Sequence, residues 1–309
     1  FLLFQSQNLI VLSFEQEADI AQQQAEMDLL ALARESLVVI EDEDTEALKN
    51  LLIIGGSPQG ARPKALIKFD STNNRVSTLP TAAGDDWLVK FPARGENQSV
   101  CAAEHVYAQL AKQCGLNMPD TQFFDLGSGY GAFGVKRFDR DNGMRIHVHT
   151  LAGLLNTNFR LPTLSYTQLL RCIRALTHSE LEVIQGYRQC VFNVVFHNRD
   201  DHSKNFSFMM DSVGNWALSP AYDLSFNTGL NGEHNMDIMG EGKNIKLKHL
   251  LDLAKNSDIK LATAKGIIEH TVSIASNLNH DLSHYPIDAA LREHICQHVQ
   301  KNINRLKSE

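Results

Sequence analysis

The amino-acid sequence predicts an α+β protein of two lobes, the first rich in strands and the second in helices. Two observations carry this. Between about residues 51 and 138, short alternating apolar runs are divided by Gly, Pro and Asn clusters, the pattern of strands and turns. After about residue 140, apolar positions recur mainly at helical spacing,. A run of strands followed by a run of helices separates the two classes in space and leaves a cleft between lobes for a ligand. The 309 residues are ample for such a core,.

The elements follow in order. "FLLFQSQNLIVLSF" (1–14) is apolar but lacks a basic leading region, so it reads as a packed strand or helix, or an edge meant for a missing segment, and not as a signal peptide. The chain does not open on Met, which leads us to expect further sequence upstream. Residues 15–37, rich in Gln, Ala, Glu and Leu, read as helix,. "EDEDTE" (41–46) is solvated and opens a helix through Lys49. "LLII" (51–54) is a short strand, "GGSPQGARPK" (55–64) a Gly/Pro-rich loop, and "ALIKFD" an alternating strand,. "NNRVST" (73–78) is a turn into a further strand, and "DDWLVKFP" (85–92) a strand closed by Pro92. From Ser99 to Lys112, Ala103, Val106, Tyr107, Leu110 and Ala111 keep helical spacing, and Gly115 is placed to end that helix,. "TQFFDL" (121–126) and "GAFGVKRF" (131–138) are strands joined by a Gly-rich turn. Helices are expected at 147–156, 165–176, 179–197, 246–256, 260–278 and 286–306, with short strands in "NFSFMM" (205–210), "WALSP" (216–220) and "HNMDIM" (234–239). The expected domains are 1–139, holding the Gly-rich loop, and 140–309, holding the helices.

Composition excludes some classes of function. A net charge of −7 and the absence of a Lys/Arg run argue against direct nucleic-acid binding as the main role,. No apolar run reaches membrane-spanning length,. Five cysteines with no C-x-x-C pair suit reduced thiols in the cytoplasm,.

The chemistry concentrates in "FNVVFHNRDDHSKNFSFMMD" (192–211). A buried helix leads to the loop "NRDDHSKN"; the strand "FSFMM", the turn "DSVGN" and the strand "WALSP" then form a hairpin, with Asp223 directly after it. A hairpin folds its ends together, so Asp200, Asn205 and Asp223 can meet. Phosphoryl transfer from ATP needs such a set: a carboxylate to orient the attacking hydroxyl and take its proton, and an amide oxygen with a second carboxylate to hold Mg²⁺. In protein kinases the base and the Mg²⁺-binding Asn lie five residues apart. Asp200 and Asn205 have that spacing and Asp201 does not. Lys204 is placed to neutralise charge on the moving phosphoryl group, although it follows Asp200 by four residues and not by two. The loop at 55–64 would let backbone N–H groups approach phosphates, but it is neither G-x-G-x-x-G nor a P-loop. Lys90, flanked by apolar residues in "WLVKF", needs an anion,; Glu104 on the next helix can supply one and ATP phosphates can share it. Two other readings use the same residues: a nucleotide-binding pseudokinase acting through partners, and a metal-dependent hydrolase using His197, Asp201 and His202.

From about Leu52 to about Lys255, "GGSPQGARPKAL", "WLVKFP", "GLNMPD", "RFDR", "DDHSKNFSF" and "SPAYDLS" occur in an order that resembles the HipA-like serine/threonine kinases, toxins of bacterial toxin–antitoxin pairs. The resemblance implies a bilobal, protein-kinase-like fold. It implies Asp200 as catalytic base assisted by Lys204, Asn205 and Asp223 as Mg²⁺ ligands, and an ATP site of Lys90, Glu104, Lys136, Phe138, Gly56, Gly60 and His202. It places Ser57 where the family carries an autophosphorylated serine. A phosphate there would add nearly two charges to the loop and switch the enzyme off. It further implies a protein substrate in translation, typically an aminoacyl-tRNA synthetase, and a cognate antitoxin. Family members usually carry an N-terminal subdomain ahead of the Gly-rich loop. Residues 1–54 do not look like it, so a separate small protein is expected to replace it. "RIHVHT" is less acidic than the family pattern, and Lys136 stands where Glu is common.

Overall fold

The computed structural model describes Leu29, residues 31–33, 62–157 and 164–307. The chain divides into two compact units, one of residues through His105 with Asp120–Arg137, the other of Val106–Pro119 with Phe138–Glu309.

The first unit is a five-stranded antiparallel sheet in the order β2-β1-β3-β5-β4, with β1 at Lys64–Asp70, β2 at Arg75–Ser77, β3 at Asp85–Lys90, β4 at Thr121–Gly127 and β5 at Tyr130–Lys136. Alternation in β1 buries Ala65, Ile67 and Phe69 on one face, as a strand with one covered face should. Trp87 and Val89 of β3 join them. Leu29, Leu32 and Ala33, from a helical stretch, pack onto the same cluster. Phe69 sits edge-on to Trp87 at 5.1 Å and to Phe124 at 5.3 Å. Gly84 has φ +115, and a Cβ there would lie 2.5 Å from the Phe69 carbonyl carbon; only glycine lets the chain enter β3 so close to β1. Helix α1, Gln98–Gln113, gives its first eight residues to this unit and the rest to the second.

The second unit is mainly helical. It holds α2 (Leu151–Leu154), α3 (Tyr166–Thr177), α4 (Glu180–Val195), α5 (Leu247–Asn256), α6 (Leu261–Ala275), α7 (Leu278–Ser283) and α8 (Ala289–Lys307). A two-stranded ladder, β6 (Arg140–Asp141) with β7 (Met144–Arg145), accompanies a three-stranded sheet in the order β10-β9-β8. In that sheet β8 is His147–Thr150, β9 Ser207–Met210 and β10 Trp216–Leu218. Ser165 caps α3 through a capping box with Gln168,. Ser179 caps α4, whose first turn carries Glu180 and Glu182, where negative charge suits the helix dipole. From Val183 onward α4 is buried almost all round, as expected of a central helix, and it contacts α3, α6 and α8.

Two sequence expectations fail. Residues 147–156 are not one helix: "HVHT" forms β8 against β9, and a single turn, α2, follows. Alternation with Val and Thr favours the strand, while the Thr150 cap starts the turn and Asn156 at φ +49 marks its end. The helix expected at 260–278 is present as α6, Leu261–Ala275, and a further short helix, α7, begins at Leu278. "HNMDIM" forms only isolated bridges, Ser165 to Asp237 and Ile238 to Glu241, because its residues serve the site below. The expected elements at 15–28, 34–54 and the Gly-rich loop through Ala61 lie outside the described residues. All five cysteines are free, and among the described residues no helix is long and apolar enough to cross a membrane.

Candidate active site

Register builds the first cluster. Antiparallel pairing sets Lys64 opposite Lys90, and the Phe91 N–H donates to the Pro63 carbonyl at 3.0 Å. The residue preceding Pro63, Arg62, therefore stands beside the end of β3. Lys90 is buried, and its Nζ donates to Glu104 Oε1 at 2.6 Å. The other oxygen of Glu104 takes Arg62 Nη1 at 3.2 Å. Arg62 also grips Glu96 with two bonds, Nε at 2.8 Å and Nη2 at 3.0 Å, and Glu96 accepts the Ala93 N–H at 2.9 Å. Two cations and two carboxylates thus form one neutral network, the arrangement that lets buried charge persist. Burial works to lower the Arg62 guanidinium, yet its bonds to Glu96 and the charge of Glu104 hold it above its ordinary range. Burial works to raise Glu96, and the Arg62 and Ala93 donors bring it below the usual carboxylate range. Burial, aided by Glu104, pushes the neighbouring Cys101 thiol up to about 12, which keeps it protonated and chemically quiet.

Lys136 ends β5, and its ammonium pairs with Asp85 at 2.7 Å, at the exposed start of β3. Phe138, in the second unit, tilts on Tyr222 at 5.7 Å. Gly56, Ser57 and Gly60 lie outside the described residues.

The second cluster hangs from the end of α4. Phe196 caps the helix and His197 turns the chain with φ +59. A short parallel ladder follows: Asn227 N–H donates to the His197 carbonyl and Arg199 N–H to the Asn227 carbonyl, both at 3.1 Å. The two adjacent aspartates then part. Asp201 is buried, and its Oδ2 accepts from Tyr166 Oη at 2.7 Å and from His234 Nδ1 at 2.8 Å. Its Oδ1 accepts the Asn235 N–H at 2.8 Å. The Asp200 carboxylate is 44% exposed, and one oxygen stands 3.7 Å from His202 Nε2. Asn205 closes the loop: its N–H donates to the His202 carbonyl at 2.8 Å and its Nδ2 to the Asp200 carbonyl at 2.8 Å. With the amide nitrogen so engaged, Oδ1 is the atom with capacity for a cation.

The hairpin carries the third residue. β9 and β10 pair from Trp216–Met210 to Leu218–Phe208, and the Ser219 N–H donates to the Ser207 carbonyl at 2.9 Å. Tyr222 Oη then donates to the Lys204 carbonyl and meets Ser207 Oγ, both at 2.5 Å. Asp223 follows, exposed and at φ +57, a left-handed conformation that Asp tolerates better than most residues. The Tyr222 clamp therefore holds the residue before Asp223 on the residue before Asn205. Asn205 and Asp223 offer an amide oxygen and a carboxylate, hard donors that suit Mg²⁺. The residues of the hydrolase reading are not assembled as ligands. Asp201 is taken up by its three donors, and His197 Nδ1 accepts from Asn302 Nδ2 at 3.0 Å. Among the described residues no group of three or more His, Cys, Asp or Glu can hold a metal ion.

Sequence reasoning missed Arg62, Tyr166, His234 and Asn235. Arg62 alone left a signal: it is a cation at the foot of the Gly-rich loop, two residues before a strand. The other three reach Asp201 from 33 or more positions away, with no local pattern to mark them.

The profile of the HipA-like C-terminal domain matches residues 56–278. Two curated relatives are "Putative kinase Y4dM" of Sinorhizobium fredii, 28% identical over 190 residues, and a "Putative kinase" of Haemophilus influenzae, 26% identical over 191. The alignments take in 53% and 55% of this chain but 46% and 52% of those proteins; the chain spans about half the length of the curated relatives it matches. Among solved structures, HipA of Shewanella oneidensis, from a toxin–antitoxin complex with HipB and operator DNA, aligns with a TM-score of 0.66 at 20% identity, over 92% of this chain and 72% of its own. The Helicobacter pylori proinflammatory kinase CtkA aligns with a TM-score of 0.50 at 15% identity, over 73% of this chain and 89% of its own. The fold is thus the bilobal, kinase-like α+β fold of these proteins, and with the profile covering well over half of its residues the chain belongs to the HipA-like C-terminal domain family.

Proposed function

We propose that the chain is an ATP- and Mg²⁺-dependent serine/threonine protein kinase. The observation that carries this reading is the divergence of Asp200 and Asp201. One carboxylate is consumed by internal donors, while its neighbour is half-exposed, with Asn205 folded back onto its carbonyl. A general base needs an accessible carboxylate on a rigid support, and Asp201 gives Asp200 that support.

Asp200 orients the substrate hydroxyl and accepts its proton. Asn205 and Asp223 hold Mg²⁺, which when bound neutralises charge on the phosphate oxygens. Lys90, kept in place by Glu104, binds the ATP phosphates, together with the backbone at Gly56 and Gly60. Lys204 and His202 flank the transferring group, and Lys136 and Phe138 bound the adenine. Ser57 is the autophosphorylation site that turns the enzyme off. By kinship with the family, the substrate is a translation component such as an aminoacyl-tRNA synthetase. The solved HipA is held with HipB and operator DNA, which supports an antitoxin partner here as well. In the competing pseudokinase reading the same residues bind nucleotide without transfer.

The test is incubation with γ-labelled ATP and Mg²⁺, with Asp200→Asn in parallel, and mapping of the labelled residue by mass spectrometry. Label on Ser57 or on an added protein, absent with the variant, supports the kinase. Nucleotide binding with no label on any protein supports the pseudokinase instead.

A further inference from the structure

We infer that Asp201 and Arg199 are positioning residues that fasten the segment following Asp223, residues 227–243, to the loop bearing Asp200, so that this segment takes its working place without a phosphorylated residue. The inference rests on the kinase reading above and concerns how that site is regulated.

In many protein kinases the segment after the metal-binding Asp is ordered only when a phosphorylated residue pairs with an arginine. The arginine directly before the catalytic Asp is at hand for this role, and Arg199 occupies that place before Asp200,. Here its hydrogen bonds go to the chain itself. Nη1 donates to the Gly232 carbonyl and Nη2 to the Lys243 carbonyl, the latter at 3.1 Å. Its backbone is used as well: the N–H donates to Asn227, and the carbonyl accepts Asn235 Nδ2 at 3.0 Å. Gly229 lets the segment pass this closely, since a Cβ there would lie 2.8 Å from Arg199 Cβ and 2.1 Å from the Glu233 carbonyl oxygen.

Asp201 supplies the charge that a phosphate would otherwise bring. It accepts from His234 and Asn235 of the segment and from Tyr166 of α3. Tyr166 Oη already accepts from Asn193 Nδ2 at 2.9 Å, so its own proton must go to Asp201. Three donors converge on one side chain, and only a carboxylate accepts from all of them. An Asn in its place would set an amide N–H against at least one donor, whichever way it is turned. The only hydroxyl-bearing residues between Leu224 and Lys243 are Ser225 and Thr228, so the rival arrangement, a phosphate on this segment, has just two possible sites.

The test compares the wild-type protein with Asp201→Asn, His234→Leu, His234→Gln and the double variant Ser225→Ala/Thr228→Val. Three quantities are read: phosphoryl transfer from γ-labelled ATP, ATP affinity by calorimetry, and amide hydrogen exchange across 227–243. Asp201→Asn should lower kcat about a hundredfold, the size expected of a displaced catalytic geometry, with ATP affinity changed less than about threefold and faster exchange in the segment. His234→Leu should do the same more weakly and keep the fold if Asp201→Asn does not, while His234→Gln, which retains a donor, should restore part of the loss. The double variant should keep the wild-type rate. Unchanged kcat and exchange in both Asp201→Asn and His234→Leu overturns the inference. So does loss of transfer in the double variant with phosphate found on Ser225 or Thr228 of the wild type. If the wild-type protein transfers no label, the kinase reading fails by itself, and the exchange data still decide whether Asp201 fastens the segment.

Discussion

Replacing Glu104 by Gln should cost more stability than replacing Lys90 by Met, although the two residues share a hydrogen bond. Lys90 Nζ lies 2.6 Å from Glu104 Oε1, and Arg62 Nη1 lies 3.2 Å from Oε2. At an effective dielectric of 20 these distances give attractions of about 6 and about 5 kcal/mol before desolvation is counted. Glu104→Gln removes both attractions at once, the loss of a buried ion-pair partner of the kind that costs about 3–5 kcal/mol. Lys90→Met leaves Glu104 with Arg62 and replaces the lysine stem with apolar volume, so its cost should be about 1–2 kcal/mol. The assay is urea unfolding followed by tryptophan fluorescence in a Trp216→Phe background. That leaves Trp87, buried in the first unit, as reporter. Equal costs would refute the four-residue network.

Burial lowers His197 to about 3, with the positive charge of Arg199 acting in the same direction. The unfolded chain therefore takes up a proton near pH 6.5 that the folded chain refuses, and stability should fall by up to about 1.4 kcal/mol per pH unit below pH 6. His197→Asn, which tolerates the left-handed backbone, should flatten that slope in unfolding titrations. Tyr222→Phe removes the hydrogen bonds to the Lys204 carbonyl and the Ser207 hydroxyl, a loss of about 1–3 kcal/mol; ATP calorimetry with and without Mg²⁺ should show a weakened Mg²⁺-dependent part. Gly186→Ala sets a Cβ 2.3 Å from Ile173 Cδ1, an overpacking that should destabilise the second unit by about 1–3 kcal/mol, read from Trp216 fluorescence in a Trp87→Phe background.

The parts of this molecule that could be read from its sequence are those written in local spacing. Strand alternation placed Lys90 in β3, helical spacing placed Glu104 on α1, and the five-residue interval separated Asp200 from Asp201 as the partner of Asn205. The hairpin fold-back likewise tied the region before Asp223 to the loop, through Tyr222. What stayed hidden was tertiary. Arg62 joins the Lys90 network because β1 and β3 pair in one register, and no propensity encodes that register. Asp201 is anchored by residues from α3 and from the 227–243 segment, and it is their geometry that turns a polar loop residue into a buried strut. The stretch 147–150 forms a strand for a related reason: its alternation is only four residues long, and it is pairing with β9 that fixes it as a strand.

In the proposed kinase, Asp200 moves the proton while other residues bind the nucleotide. Single-turnover phosphoryl transfer at saturating ATP and Mg²⁺, measured together with ATP affinity in wild type and Asp200→Asn, tests it most directly. Asp200→Asn should lose transfer by at least about a hundredfold, within the range of a positioned general base, while ATP affinity stays within about threefold. Transfer at the wild-type rate by Asp200→Asn, or its loss only in step with lost ATP binding, would contradict it.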